Sequence, residues 1–74
     1  MPLIRATLVE KAITPEQKQE LIGRITDAVV SVYGEPMRPN TWVLIDEISS
    51  GQFGIGGHGF TTEEVRAAMA GAPV

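Results

Sequence analysis

An α+β fold is what this sequence predicts: one β-α-β unit with parallel strands, then a C-terminal segment that forms a hairpin loop, then a short helix. Three observations carry that reading. Two apolar, β-rich runs at 2–9 and 41–46 flank a single stretch of helical periodicity. Glycine takes five of the eleven positions from Ser49 to Gly59. A second helix-start pattern follows at Thr61-Thr-Glu-Glu64.

In the first run, Ile4, Ala6 and Leu8 share one face, and Leu3, Arg5, Thr7 and Val9 share the other. That alternation is the signature of a strand with one strongly buried face. Glu10-Lys11-Ala12-Ile13 then connects to a well-marked helix start. Thr14 is a natural N-cap, Pro15 occupies the first helical position, and Gln17 completes a capping box. Leu21, Ile22, Ile25, Ala28, Val29 and Val32 follow as one stripe at the helical period, with Lys18, Glu20, Arg24, Asp27 and Ser31 opposite. Gly34 and Pro36 end the helix. The turn-rich stretch 34–40 leads into Thr41-Trp-Val-Leu-Ile-Asp46, whose nearly continuous apolar character fits a strand buried on both faces. Strand, helix and strand in this order imply a right-handed crossover between parallel strands.

The 74 residues allow one domain, 1–74, and 43% hydrophobic content argues against intrinsic disorder. A net charge of −3 offers no footprint for a phosphate backbone, so nucleic acid is not an expected partner. No run is long enough to span a membrane, and no signal peptide is evident, so a cytoplasmic location is expected. The chain has no cysteine, which removes disulfides and thiolate metal sites as staples. One helix on two strands leaves a sheet face and both edges bare, so self-association is expected.

Several apparent motifs have plain explanations. Gly54-Ile-Gly56-Gly-His-Gly59 matches the dinucleotide fingerprint in letters, but only fifteen residues follow it, too few for the required further β-α-β unit. A hairpin or flexible loop packed on a neighbouring subunit is the expected reading. His58 is the only histidine and lacks the convergent co-ligands a metal needs, so an exposed loop histidine is expected and neither metal nor cofactor is. Asp46-Glu47 and Glu63-Glu64 read as solvated charge and helix-dipole compensation. Trp42 and Phe53 read as core or interface anchors. Pro2 is the unusual position. Removal of the initiator Met1 would leave it as a secondary amine on a strand end, and an α-amine titrates at roughly 8, near neutral pH. An apolar pocket lowers that value further and suits the nitrogen to act as a general base.

Pro2 opening a strand, Thr14-Pro-Glu-Gln-Lys18 opening the helix, and Gly51-Gln-Phe-Gly-Ile-Gly-Gly57 after the second strand resemble the 4-oxalocrotonate tautomerase family over about residues 2–57. The resemblance implies a tautomerase fold completed by oligomerisation. Its expected form is a homohexamer built as a trimer of dimers, with a heterohexamer as the rarer arrangement. It implies a cofactor-independent isomerase in which Pro2 moves a proton between atoms of a small enol or unsaturated oxo acid, and in which Phe53 lines an apolar pocket. Two arginines that complete the site in that family have no counterpart here. One position holds Trp42, and the other falls within Lys11-Ala12-Ile13. Lys11, Arg5 and Arg38 are the candidate cationic substitutes, and Trp42 a further pocket residue. Because an indole cannot form the bidentate pair an arginine makes with a carboxylate, recognition of a dicarboxylate is not expected. Two alternatives stay open at this point. One is a hydratase or dehalogenase in which protonated Pro2 acts as an acid; the other is a binding or partner subunit without catalysis of its own.

Overall fold

The computed structural model describes residues 1–71; the last three positions of the expected 1–74 domain lie outside the described residues. The elements run β1 (Leu3–Val9), α1 (Pro15–Tyr33), a 3-10 helix (Glu35–Asn40), β2 (Trp42–Ile48), β3 (Phe53–Ile55), β4 (His58–Phe60) and α2 (Thr62–Met69). β1 and β2 pair in one two-stranded sheet, β3 and β4 in another. The chain divides into two compact units. One comprises residues 1–6 with 14–46, the other residues 7–13 with the chain from Glu47 onward.

In the first unit, β1 begins at Leu3 rather than Pro2, because proline has no N–H to give to a ladder. The Pro2 carbonyl still takes part, accepting from the Trp42 N–H at 3.0 Å. At the other ends of the strands the Glu10 N–H donates to the Ile48 carbonyl at 2.8 Å, so the two strands run the same way. α1 starts where its caps say it should. Thr14 Oγ1 accepts from the Gln17 N–H at 3.1 Å, and Gln17 Oε1 accepts from the Thr14 N–H at 2.9 Å. The Gly34 N–H closes the helix on the Val30 carbonyl at 2.7 Å. The stretch expected as turns is a 3-10 helix, whose geometry tolerates Pro36 in its first turn and Pro39 inside it. Arg38 braces it, donating to both Glu35 carboxylate oxygens at 3.0 Å and to Asp27 on α1 at 2.9 Å.

Two expectations change here. The α1 stripe is only partly covered: Val30, outside the predicted set, is the buried residue, while Ala28 is exposed and Val32 is 84% exposed. β2 also alternates rather than being buried on both faces. Val43 and Ile45 are half-buried, whereas Trp42 is 56% and Leu44 41% exposed. The cause is a shortage of layers. The chain has one long helix, and one layer covers one face of a sheet.

In the second unit, β3 and β4 pair antiparallel, with Phe53 opposite Phe60, Gly54 opposite Gly59 and Ile55 opposite His58. Gly56 and Gly57, with φ of 59° and 86°, form the two-residue turn. Positive φ at both central positions is what a type I′ hairpin requires. Gly59 is needed for space, since a Cβ there would meet the Gly51 carbonyl oxygen at 3.0 Å. The fingerprint-like glycines therefore build a hairpin and not a phosphate cradle. α2 opens on a second capping box, Thr61 Oγ1 accepting from the Glu64 N–H at 3.1 Å. Thr62 is buried and ties α2 to the loop after β1. Its Oγ1 donates to the Glu10 carbonyl, and its N–H donates to Ser50 Oγ, both at 2.9 Å. Thr62→Val keeps the shape and leaves that carbonyl without its donor. It is expected to lower unfolding stability by about 1–2 kcal/mol, read from urea melts at fixed protein concentration.

Candidate active site

Pro2 lies at the mouth of an open groove of about 550 Å³ in the first unit. Leu3 and Ile4 continue its strand wall, and Ala28, Val29, Val32 and Tyr33 from the last turns of α1 form the other. The α1 residues left uncovered by the fold are the ones that line it. No charged residue takes part in that lining, and Tyr33 is its one residue with a polar side-chain group. Pro2 is half-buried and its carbonyl is fixed by the Trp42 backbone, so the ring is held on a strand end.

Trp42 stands beside Pro2 on the neighbouring strand, with its ring more exposed than buried. Arg5, on β1, pairs through Nε with Asp46 of β2 at 3.0 Å. Arg38 is committed to Glu35 and Asp27, whose hydrogen bonds raise its pKa in that order, and in return it holds the Glu35 carboxyl below the usual range. Both arginines expected as cationic substitutes are thus engaged in exposed ion pairs. In the second unit, Phe53 lies in β3, 43% exposed. Lys11 sits in the loop after β1 with φ of 60°, the one described residue other than glycine in the left-handed region.

His58 is exposed, as expected, but does not lie in a loop. It belongs to β4 and its Nε2 meets Glu64 Oε2 at 2.7 Å, while its ring stands edge-on to Phe60 at 4.7 Å between centroids. The second Glu64 oxygen accepts from the Thr61 N–H and hydroxyl, each at 3.3 Å. The His58 bond, followed by the Thr61 backbone N–H, holds the Glu64 carboxyl below the usual carboxylate range. Among the described residues no group of three or more His, Asp or Glu side chains is arranged to hold a metal ion.

Two residues with a place in these sites escaped the sequence reading. Tyr33 could have been found by extending the α1 stripe one turn beyond Val29. Arg66 could not: its guanidinium Nη2 donates to the Lys11 carbonyl, a contact between positions 55 apart that no local pattern encodes.

The comparisons place this β-α-β fold with its glycine hairpin among tautomerase-type enzymes. Residues 2–63 match the family model described as tautomerase enzyme. "Probable tautomerase K2" of Dickeya dadantii is 33% identical over 67 residues, covering 90% of this chain and 98% of the relative. The crystal structure of apo unfused 4-oxalocrotonate tautomerase superposes with a TM-score of 0.71 at 38% identity, over 85% of this chain and 97% of the other. A 4-oxalocrotonate tautomerase from Chloroflexus aurantiacus, described as a heterohexamer, superposes with a TM-score of 0.71 at 27% identity, over 89% and 100%. The chain belongs to the 4-oxalocrotonate tautomerase family and is a tautomerase-like isomerase. No described helix is long and apolar enough to cross a membrane.

The Glu64 carboxyl makes one pH dependence predictable. A carboxyl with a lowered folded pKa adds stability that is complete above its unfolded value and is lost as pH falls through the folded one. Glu64→Gln keeps a capping side chain and removes the charge. The urea midpoint of the wild type is expected to exceed that of the variant at about pH 7, and the gap to close below about pH 3.

Proposed function

We propose that this enzyme interconverts the enol and keto forms of a small, singly carboxylated oxo acid, with Pro2 as the general base once Met1 has been removed. The observation that carries the reading is the groove: Pro2 is its only candidate base, held on a strand end among apolar side chains. The neutral amine takes the proton from the enol oxygen, and the electron pair moves to the carbon two atoms away. The prolinium then returns the proton to that carbon. The same nitrogen accepts and donates, so the reaction is proton-neutral and needs no cofactor.

Trp42 offers a ring face to a conjugated substrate and an indole N–H to the developing enolate oxygen, the kind of preorganised donor that lowers such barriers. Phe53, carried on the hairpin of a neighbouring subunit, closes the apolar pocket, and Lys11 contributes positive charge. The assembly is a homohexamer, a trimer of dimers, which covers the exposed strand face of Leu3, Trp42 and Leu44. The apolar lining argues against a hydratase or dehalogenase, since no carboxylate stands in it to activate water.

Pro2→Ala, on protein whose intact mass shows Met1 removed, is expected to lose at least about 100-fold in turnover of phenylenolpyruvate. Unchanged turnover would sink the base assignment. Sedimentation should give about six times the subunit mass; a monomer would contradict the assembly.

A further inference from the structure

We propose that Thr41 is a positioning residue for Pro2: with Arg38 it forms a polar relay that holds the proline's strand end in place beside the α1 wall of the groove. The proposal rests on the tautomerase reading above, since Pro2 is the base there.

The relay runs bond by bond through the first unit. Asp27 Oδ1, on α1, accepts from Arg38 Nη1 at 2.9 Å, immediately before Ala28 and Val29 of the groove lining. The same guanidinium grips Glu35 through Nε and Nη2, each at 3.0 Å, and so ties the 3-10 helix to α1. The Arg38 carbonyl in turn accepts from the Thr41 N–H at 3.2 Å, and the Met37 carbonyl accepts from Thr41 Oγ1 at 2.8 Å. Trp42 follows directly, and its N–H donates to the Pro2 carbonyl at 3.0 Å.

Both ends of this relay need outside support. Pro36 and Pro39 bring no N–H to the 3-10 helix, and the last carbonyls of any helix lack partners within it. Thr41 satisfies two of them while its extended backbone, φ −93° and ψ 123°, turns the chain into β2. Pro2 joins β2 through its carbonyl. Only the Cα–C rotation separates that carbonyl from the ring nitrogen, and the ring fixes the direction of the nitrogen's lone pair. Whatever holds Trp42 in register therefore also aims the base. The Arg38 ion pairs are exposed and individually weak, so half-buried Thr41 carries the larger share.

The test compares Thr41→Val, which keeps the shape and removes the donor, with Thr41→Ser, which keeps the hydroxyl. Turnover of phenylenolpyruvate is measured on assembled protein with Met1 removed. Thr41→Val is expected to lower kcat about tenfold with KM nearly unchanged, because a displaced base slows the reaction more than it weakens binding. Thr41→Ser should stay near wild type, and Arg38→Gln should lose about threefold. Amide hydrogen exchange reads the position itself. The Trp42 N–H should exchange about fivefold faster in Thr41→Val, while the Glu10 N–H at the far end of the strands keeps its wild-type rate. Unchanged exchange at Trp42 would overturn the proposal, as would equal acceleration at Trp42 and Glu10, the mark of a general loss of stability. So would an unaltered kcat in Thr41→Val of an enzyme that Pro2→Ala inactivates. Full turnover in Pro2→Ala would remove the base assignment alone; exchange at Trp42 still decides whether Thr41 holds the Pro2 end of the strand.

Discussion

Apolar surface that one chain cannot cover is the constraint on which this protein's structure and chemistry depend. Val9, Val30 and Phe60 are its only buried hydrophobic residues among those described. Leu3, Trp42 and Leu44 on the sheet, Val32 and Tyr33 on α1, and Phe53 and Ile55 on the hairpin stay largely exposed. Burying an aliphatic or aromatic side chain contributes about 1.5–3 kcal/mol, so each of these is stabilisation left for association to collect. A chain of this length buries a small share of its surface and is correspondingly marginal alone. The same uncovered surface is where Pro2 sits. The groove beside it is the part of the α1 stripe that the fold of a single chain leaves open.

Polar interactions are organised differently, around ends and turns. Both α-helices open on reciprocal Thr–Gln or Thr–Glu caps, and the 3-10 helix is braced by a guanidinium spanning two acids. These contacts are exposed, and each one adds little to stability. They also engage Arg38, whose guanidinium spans Asp27 and Glu35.

What could be read beforehand, and what could not, divides by range. The starts of α1 and α2 were legible in Thr14, Pro15, Gln17, Thr61 and Glu64 because a cap involves residues three positions apart. The β-α-β order and the hairpin were legible from periodicity and from paired glycines. The open face of β2 was not, since an apolar run looks alike whether a strand is covered by its own chain or by another. The exposure of His58 was legible, but its bond to Glu64 was not, because the two lie on either side of a strand end and a helix start. The fates of Arg5 and Arg38 could not be read for the same reason: Asp46 and Asp27 approach them only through the fold.

The shortage of core was evident from the sequence alone, in 74 residues without cysteine and with a single long helix. So were the family-like placement of Pro2 and the local signals that start and stop each helix. These depend on composition, periodicity and neighbours within a turn, all of which a linear chain displays. Only the tertiary structure decided which face of α1 remains open, which cations are already paired, and that Arg66 reaches the backbone of Lys11. Those are contacts between positions far apart in sequence, and their energies exist only once the backbone has brought the partners together.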